Sequence, residues 1–376
     1  MNYLISCLEP SANLHFSEVL REILALDKNA KIYGIFGEEF SAHGEPLYKS
    51  SEFSAMGFVE IIPLIFKAKR ALKQMCELAK NCDVVLLIDS PAFNLPLAKA
   101  LKKSGASARI VYYILPQIWA WKRGRVKALQ ENCDFLCGIW QFERQFYSKI
   151  LDLNFENLPN LSDKSGFCFV GHPLLDEIKE RKNSYEKNGL IAFMPGSRRA
   201  EISRLMPVYR ELAEKLKSEN ANLKFSLVVP PFLADKVEQI YGDTRGFSIE
   251  TDAIKTLVKS EFAFICSGTA TLQAALIGTP FVLCYKAKAL DVAIARRFVK
   301  LKHVGLANII FDFCEKDELH KELIQEEVSV ANLYDAYALR DDERFARACV
   351  ELREYLAMPS AKNVARILTT NAKFKV

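Results

Sequence analysis

The 376-residue sequence predicts an α/β protein made of two Rossmann-like domains. Three observations carry this. Short apolar runs alternate with stretches of helical spacing along the whole chain. Most of those runs are continuous rather than alternating, which suits parallel strands covered on both faces. A polar turn cluster over residues 154–166 places a boundary near 152–172 and leaves two halves of about one domain each.

Taken in order, strands are expected at Leu4–Cys7, Lys31–Ile35, Val84–Ile88, Ile110–Ile114, Phe135–Gly138 and Cys168–Val170. The second half continues with Leu190–Met194, Lys224–Val229, Phe262–Cys266 and Phe281–Tyr285. Helical spacing lies between them, for example over Ser17–Leu26, Leu97–Ser104 and Pro207–Asn220. The last segment, Asp342 to Val376, reads as two helices broken at Met358-Pro359-Ser360. The expected division is residues 1–170, residues 171–355, and a C-terminal helix over 356–376 that packs back on the first domain or on a partner subunit. Ligands of such sheets bind beyond the carboxyl ends of the strands, so two domains facing each other there form a cleft.

Composition narrows the function. A net charge of +5 is mild and argues against a dedicated nucleic-acid binder, while suiting an anionic substrate or membrane surface. The ten cysteines are scattered, and Cys133 and Cys137 lack a matching pair or nearby histidines, so buried free thiols are expected rather than zinc. The N-terminus, Met1 to Leu8, lacks a basic leader region and reads as a first strand. No apolar run approaches the roughly 20 residues of a spanning helix.

Two strand-to-helix junctions say most about chemistry. In Met194-Pro195-Gly196-Ser197-Arg198 an apolar run ends in a small turn that opens into a helix. Cys266-Ser267-Gly268-Thr269 does the same before Leu272 and Gln273. At each, unpaired backbone N–H groups at a helix start favour an anion. Arg198 adds a planar fork of donors that matches phosphate. Two such turns in one domain suggest a nucleotide diphosphate held between them.

In the first half, Asp89 ends a strand and precedes Ser90-Pro91. It suits a general base and equally a cap for the helix after Pro96. Glu9 follows the first strand and faces the ligand side, unless Ser11 or Asn13 merely starts the next helix. Trp119 and Trp121 follow the strand 110–114 and either line a sugar or acyl pocket or pack the loop. His172, between Gly171 and Pro173 at the domain junction, reads as structural rather than catalytic, or as a ligand contact across the cleft. The stretch Phe58 to Lys73, with Phe66 beside Lys67, Lys69, Arg70 and Lys73, suits a membrane interface or a solvated helix. A second basic run holds Lys286, Lys288, Arg296, Arg297, Lys300 and Lys302.

Seven segments in order resemble the lipid-A-disaccharide synthase family: Met56–Glu60, Ile88–Asn94, Pro116–Trp121, Val170–Pro173, Met194–Arg198, Ser267–Leu272 and Leu323–Glu327. The resemblance spans nearly the whole chain. It implies the GT-B fold and an inverting transfer from UDP-2,3-diacylglucosamine to 2,3-diacylglucosamine 1-phosphate, releasing UDP. By it Asp89, with Glu9, is catalytic. Gly196, Ser197, Arg198, Ser267, Gly268, Thr269 and Gln273 would bind UDP, and Ser11, Asn94, Trp119 and Phe66 would serve the acceptor lipid. No cofactor is implied, and no Asp-x-Asp is present to hold a metal. The implied setting is cytoplasmic, peripheral on the inner face of the inner membrane of a Gram-negative bacterium. No nucleic-acid partner is expected, and a homodimer is allowed for.

The chain departs from the family pattern at Leu8-Glu9-Pro10-Ser11-Ala12-Asn13, where two glycines and an aspartate are replaced. Ala92 stands where a second acid is frequent, and Gln273 where Glu is usual. Two alternatives stand beside this reading. One is another GT-B UDP-sugar enzyme, such as a UDP-sugar 2-epimerase, which the acceptor-side segments Met56–Glu60 and Pro116–Trp121 disfavour. The other is a non-catalytic nucleotide-sugar or lipid-binding protein, disfavoured by Asp89 and Arg198 together.

Overall fold

The computed structural model of the protein describes residues 1–53, 61–182, 184–288 and 301–370. The segment Met56–Glu60 and the basic residues Arg296, Arg297 and Lys300 lie outside the described residues. The chain divides into two compact units. One comprises Met1–Glu177 with Leu356–Val376, the other Ile178–Tyr355.

The first unit is one parallel sheet of β1 (Asn2–Ser6), β2 (Lys31–Phe36), β3 (Tyr48–Lys49), β4 (Val84–Ile88), β5 (Arg109–Tyr113), β6 (Phe135–Gly138) and β7 (Gly166–Phe169). Its strand order is β3-β2-β1-β4-β5-β6-β7. Every pairing is parallel, with Tyr3 opposite Val84 and Ile88 opposite Tyr113. The central strands carry Tyr3, Leu4, Ile5, Val84 to Ile88 and Val111 to Tyr113, all fully buried, which is why their runs are continuously apolar. Helix Pro10–Leu26 and helix Ala361–Thr369 pack against each other. Asp176 fastens that C-terminal helix by accepting from the N–H groups of Ser360 at 2.8 Å and Ala361 at 3.0 Å. Arg109 donates to the carbonyls of Ile367 and Thr370 at its other end.

The second unit is a parallel sheet of β8 (Leu190–Met194), β9 (Lys224–Val228), β10 (Phe247–Glu250), β11 (Phe262–Cys266), β12 (Phe281–Tyr285) and β13 (Lys321–Ile324). Its order is β10-β9-β8-β11-β12-β13. A stack of Phe193, Tyr209, Phe225, Phe247 and Phe264 fills one side of its core.

All ten expected strands form. The three unforeseen ones, β3, β10 and β13, lie at sheet edges, where half-exposed residues break the apolar run. Two helix starts differ from expectation. The first helix begins at Pro10, with Glu9 as its N-cap residue, rather than at Ser11 or Asn13. The third begins at Pro91, and Pro96 lies inside it. Proline in the first helical turn loses only an N–H that has no partner there. All ten cysteines are free thiols. Among the described residues no helix is long and apolar enough to cross a membrane.

Candidate active site

The strand order of each unit reverses direction once, between β1 and β4 in the first and between β8 and β11 in the second. Open parallel sheets bind ligands at the carboxyl edge of that switch point, because the two neighbouring loops diverge there and leave a crevice. The residues at these four strand ends are Glu9, Asp89, the turn to Arg198, and the turn from Ser267.

In the second unit both turns open onto one cavity of about 430 Å³. Gly196, Ser197, Arg198, Ser267, Gly268, Thr269 and Gln273 all line it. Helix Arg199–Glu219 has Arg198 as its N-cap residue and helix Thr269–Ile277 has Gly268, and neither N-terminus carries a side-chain cap. Their leading N–H groups are therefore left for a ligand. By contrast helix Ala253–Lys259 is closed by Asp252, which accepts from the Lys255 N–H at 3.0 Å. Gly196 has φ 95°, and a Cβ there would sit 2.7 Å from Glu201 Oε2, so the turn requires glycine. The Tyr241 hydroxyl donates to the Gly196 carbonyl at 3.3 Å and holds the turn from behind. Arg198 is exposed and donates to Glu201 Oε1 at 2.9 Å. Glu201 is buried against the cavity and was not singled out from the sequence, although its spacing of three residues from Arg198 on a helix is the signal for such a pair.

In the first unit Asp89 and Ser90 are consecutive residues in the left-handed region, with φ 48° and 43°. Side chains disfavour that conformation by about 1–2 kcal/mol each, so the surroundings must impose it. They do so through hydrogen bonds. Asn94 donates to the carbonyls of Ile88 at 3.1 Å and Asp89 at 2.8 Å. The Tyr112 hydroxyl donates to the Asp89 carbonyl at 2.7 Å, and the Asp89 N–H donates to Tyr113 O at 3.0 Å. Ser6 in turn donates to Asn94 Oδ1 at 2.6 Å. Asn94 is fully buried, so its amide acts inside the fold rather than on an exposed ligand surface.

The Asp89 carboxyl is half-buried. Burial, then the nearby Glu9 carboxylate, raises it above the ordinary carboxylate value, while the Ser90 N–H and His15 act in the opposite direction. The Ser90 hydroxyl donates to Glu9 Oε1 at 3.2 Å, so Glu9 and Asp89 belong to one cluster. His15 pairs with Glu177 at 2.6 Å beside them. Neither His15 nor Glu177 was foreseen, since nothing in the sequence brings positions 15 and 177 together. Ser11 is exposed in the first turn of the helix that starts beside Glu9.

Trp119 is buried and packs edge-on against Phe142 at 5.5 Å. Burial raises the Glu143 carboxyl to about 8, against the lowering pull of the Trp140 and Ile139 N–H groups and Trp119. His172 accepts from the Leu174 N–H and packs on Trp140, and burial holds its imidazole down at about 3. It is a neutral structural histidine. Phe66 is 68 % exposed on helix Ile61–Ala79, and Lys69, Arg70 and Lys73 are exposed with it. Lys67 differs, being bound to Glu52 at 2.6 Å.

Comparison with known proteins bears on this arrangement. The family of lipid-A-disaccharide synthetases matches residues 3–356. The lipid-A-disaccharide synthase of Campylobacter jejuni (strain RM1221) is 49 % identical over 97 % of this chain and 98 % of its own length. Among solved structures, the glycotransferase of kitacinnamycin superposes with a TM-score of 0.57 at 14 % identity, covering 98 % of this chain and 97 % of that one. The UDP-GlcNAc 2-epimerase of Neisseria meningitidis reaches a TM-score of 0.55 at 11 % identity, covering 98 % of both. At such identities these two show a shared two-domain GT-B architecture, and the architecture does not separate transferases from epimerases. Identity along the chain does separate them: the chain belongs to the lipid-A-disaccharide synthetase family and so to the glycosyltransferases.

Proposed function

We propose that the enzyme joins UDP-2,3-diacylglucosamine to 2,3-diacylglucosamine 1-phosphate through a β-1,6 bond, with inversion at the donor's anomeric carbon. The observation that carries the donor half is the convergence of seven residues from two uncapped helix starts on one cavity. Backbone N–H groups and Arg198 neutralise the diphosphate there. As the bond from the anomeric carbon to the phosphate oxygen breaks, its electron pair passes to UDP, and the same donors stabilise that growing charge. Gln273 offers its amide oxygen to a ribose hydroxyl, a neutral acceptor where the family usually has a carboxylate.

On the acceptor side the 6-hydroxyl attacks the anomeric carbon from the face opposite UDP, and its proton passes to the Asp89 carboxylate. The elevated Asp89 carboxyl supports this role, because a base nearer neutrality accepts a proton more readily while still ionised at working pH. Burial and then Glu9 keep it elevated, and Asn94 and Tyr112 hold its backbone. Trp119, buried and packed edge-on against Phe142, gives the acceptor loop a fixed wall.

The enzyme works at the cytoplasmic face of the inner membrane, attached peripherally. Several acyl chains, at about 0.8 kcal/mol per buried CH₂, keep its substrates in the bilayer. Exposed Phe66 with Lys69, Arg70 and Lys73 supports attachment there. A homodimer is compatible with this reading.

The test supplies both defined diacyl sugars to purified enzyme, follows UDP release, and weighs the product by mass spectrometry. A disaccharide carrying one phosphate and four acyl chains is expected. UDP release without a disaccharide, or epimerised UDP-sugar, would overturn the reading.

A further inference from the structure

The loop after β5 carries a cluster of cations that the reaction as described does not use. It runs Leu115-Pro116-Gln117-Ile118-Trp119-Ala120-Trp121-Lys122-Arg123-Gly124-Arg125 and closes on itself. Trp121 N–H donates to Gln117 O at 3.3 Å and Arg125 N–H to Lys122 O at 3.0 Å. Trp121 is 46 % exposed. The Lys122 ammonium lies 4.3 Å from its ring centroid and the Arg125 guanidinium 5.4 Å. Arg123 is placed 5.7 Å from the Phe146 ring. Cations held on aromatic faces are ordered without being neutralised. None of the three makes an ion pair with a described residue, although other exposed cations of this unit do, Lys80 with Glu77 and Arg144 with Asp152 among them. Lys122 is also held at φ 52°, a backbone strain of about 1–2 kcal/mol that a plain surface turn would shed.

Topology puts this cluster beside the base. Strands β4 and β5 are neighbours, with Ile88 opposite Tyr113. The Asp89 turn and the cationic loop therefore leave the same sheet edge side by side, and Asp89 is bonded to both Tyr112 and Tyr113 at the root of the loop. The proposed acceptor has its nucleophilic hydroxyl at carbon 6 and a phosphomonoester at carbon 1, at opposite ends of the sugar. A ligand whose one end meets Asp89 presents its dianionic end to what lies alongside.

We propose that Lys122 and Arg125 on the Trp121 ring, with Arg123 on the Phe146 ring, bind the carbon-1 phosphomonoester of the acceptor lipid and so select a phosphorylated acceptor. This rests on the acceptor reading above. The two arginines offer paired donors and Lys122 a point charge, a set that fits three phosphate oxygens.

The experiment compares acceptors with and without the carbon-1 phosphate, in neutral detergent micelles, using the full chain. Wild type should prefer the phosphorylated acceptor in kcat/KM. In the double variant Lys122→Gln, Arg123→Gln the KM for that acceptor should rise on the order of tenfold, while kcat and the donor KM stay within about twofold. The preference should collapse with it. Both residues are exposed, so folding is not at stake, and a thermal melt checks it. A variant that keeps its full preference overturns the proposal, most plainly if it has also lost binding to phosphatidylglycerol vesicles, which would make the cluster a membrane contact. Wild-type turnover without preference overturns the proposal alone. No wild-type turnover of either acceptor overturns the acceptor reading and the proposal together.

Discussion

Replacing Asn94 by alanine tests how the candidate base is held. Asp89 and Ser90 together store about 2–4 kcal/mol of left-handed backbone strain. Asn94 opposes it with bonds to the Ile88 and Asp89 carbonyls, and accepts one more from Ser6. At about 1 kcal/mol net per bond, and more where a buried group is left unpaired, Asn94→Ala should destabilise the first unit by about 2–4 kcal/mol. That matches the stored strain, so the turn should relax and carry the Asp89 carboxylate with it. A shift on the order of 1 Å at a reacting group costs up to about 100-fold in rate. The expected variant melts roughly 5–10 °C lower, loses tenfold to 100-fold in kcat, and binds UDP as wild type does, because the cavity belongs to the other unit. Differential scanning calorimetry, UDP-release kinetics and calorimetric UDP titration read the three quantities. Asn94→Asp keeps the volume but sets an acceptor against two carbonyl oxygens, so it should be no milder. A destabilised Asn94→Ala enzyme with kcat within twofold of wild type would refute the reasoning, as would rescue by aspartate.

The remaining expectations concern charge. Asp89→Asn should lower turnover by about 10²–10⁴-fold with UDP affinity intact, and near-normal turnover would remove Asp89 from the chemistry. Asp89 acts ionised and its carboxyl is raised, so activity should fall as pH drops through that raised value; Glu9→Gln withdraws one of the raising charges and should move the acid limb of the kcat profile to lower pH. Arg198→Ala should weaken UDP binding on the order of tenfold and lower turnover as well, if the guanidinium meets the phosphates before and during bond cleavage as proposed; unchanged calorimetric affinity would place the diphosphate elsewhere. Glu143, raised by burial to about 8, favours the fold while protonated: its contribution is complete below its ordinary value of 4.5 and is lost as pH rises towards 8. That loss is on the order of 5 kcal/mol. Melting temperature should therefore fall across this window in wild type and less steeply in Glu143→Gln, and equal slopes would show that Glu143 titrates normally.

Much of this protein was legible in one dimension because its determinants are local. A buried parallel strand must be apolar at every position, so Val84–Ile88 and Phe262–Cys266 declare themselves by composition. A turn that lets a ligand approach the backbone closely favours small residues, so Gly196-Ser197 and Ser267-Gly268 stand out in the sequence as a candidate anion site. Edge strands such as Phe247–Glu250 escape notice because most of their residues face water and the apolar pattern dilutes. What only the tertiary structure decided is long-range pairing. Strand order put Glu9 beside Asp89 and joined two turns 70 residues apart into one cavity. It buried Asn94 under the Asp89 turn, joined His15 to Glu177, and set Trp119 edge-on against Phe142. A hydrogen bond depends on the residue opposite, and the identity of that residue is set by how sheets are ordered and helices laid on them, which no local pattern encodes.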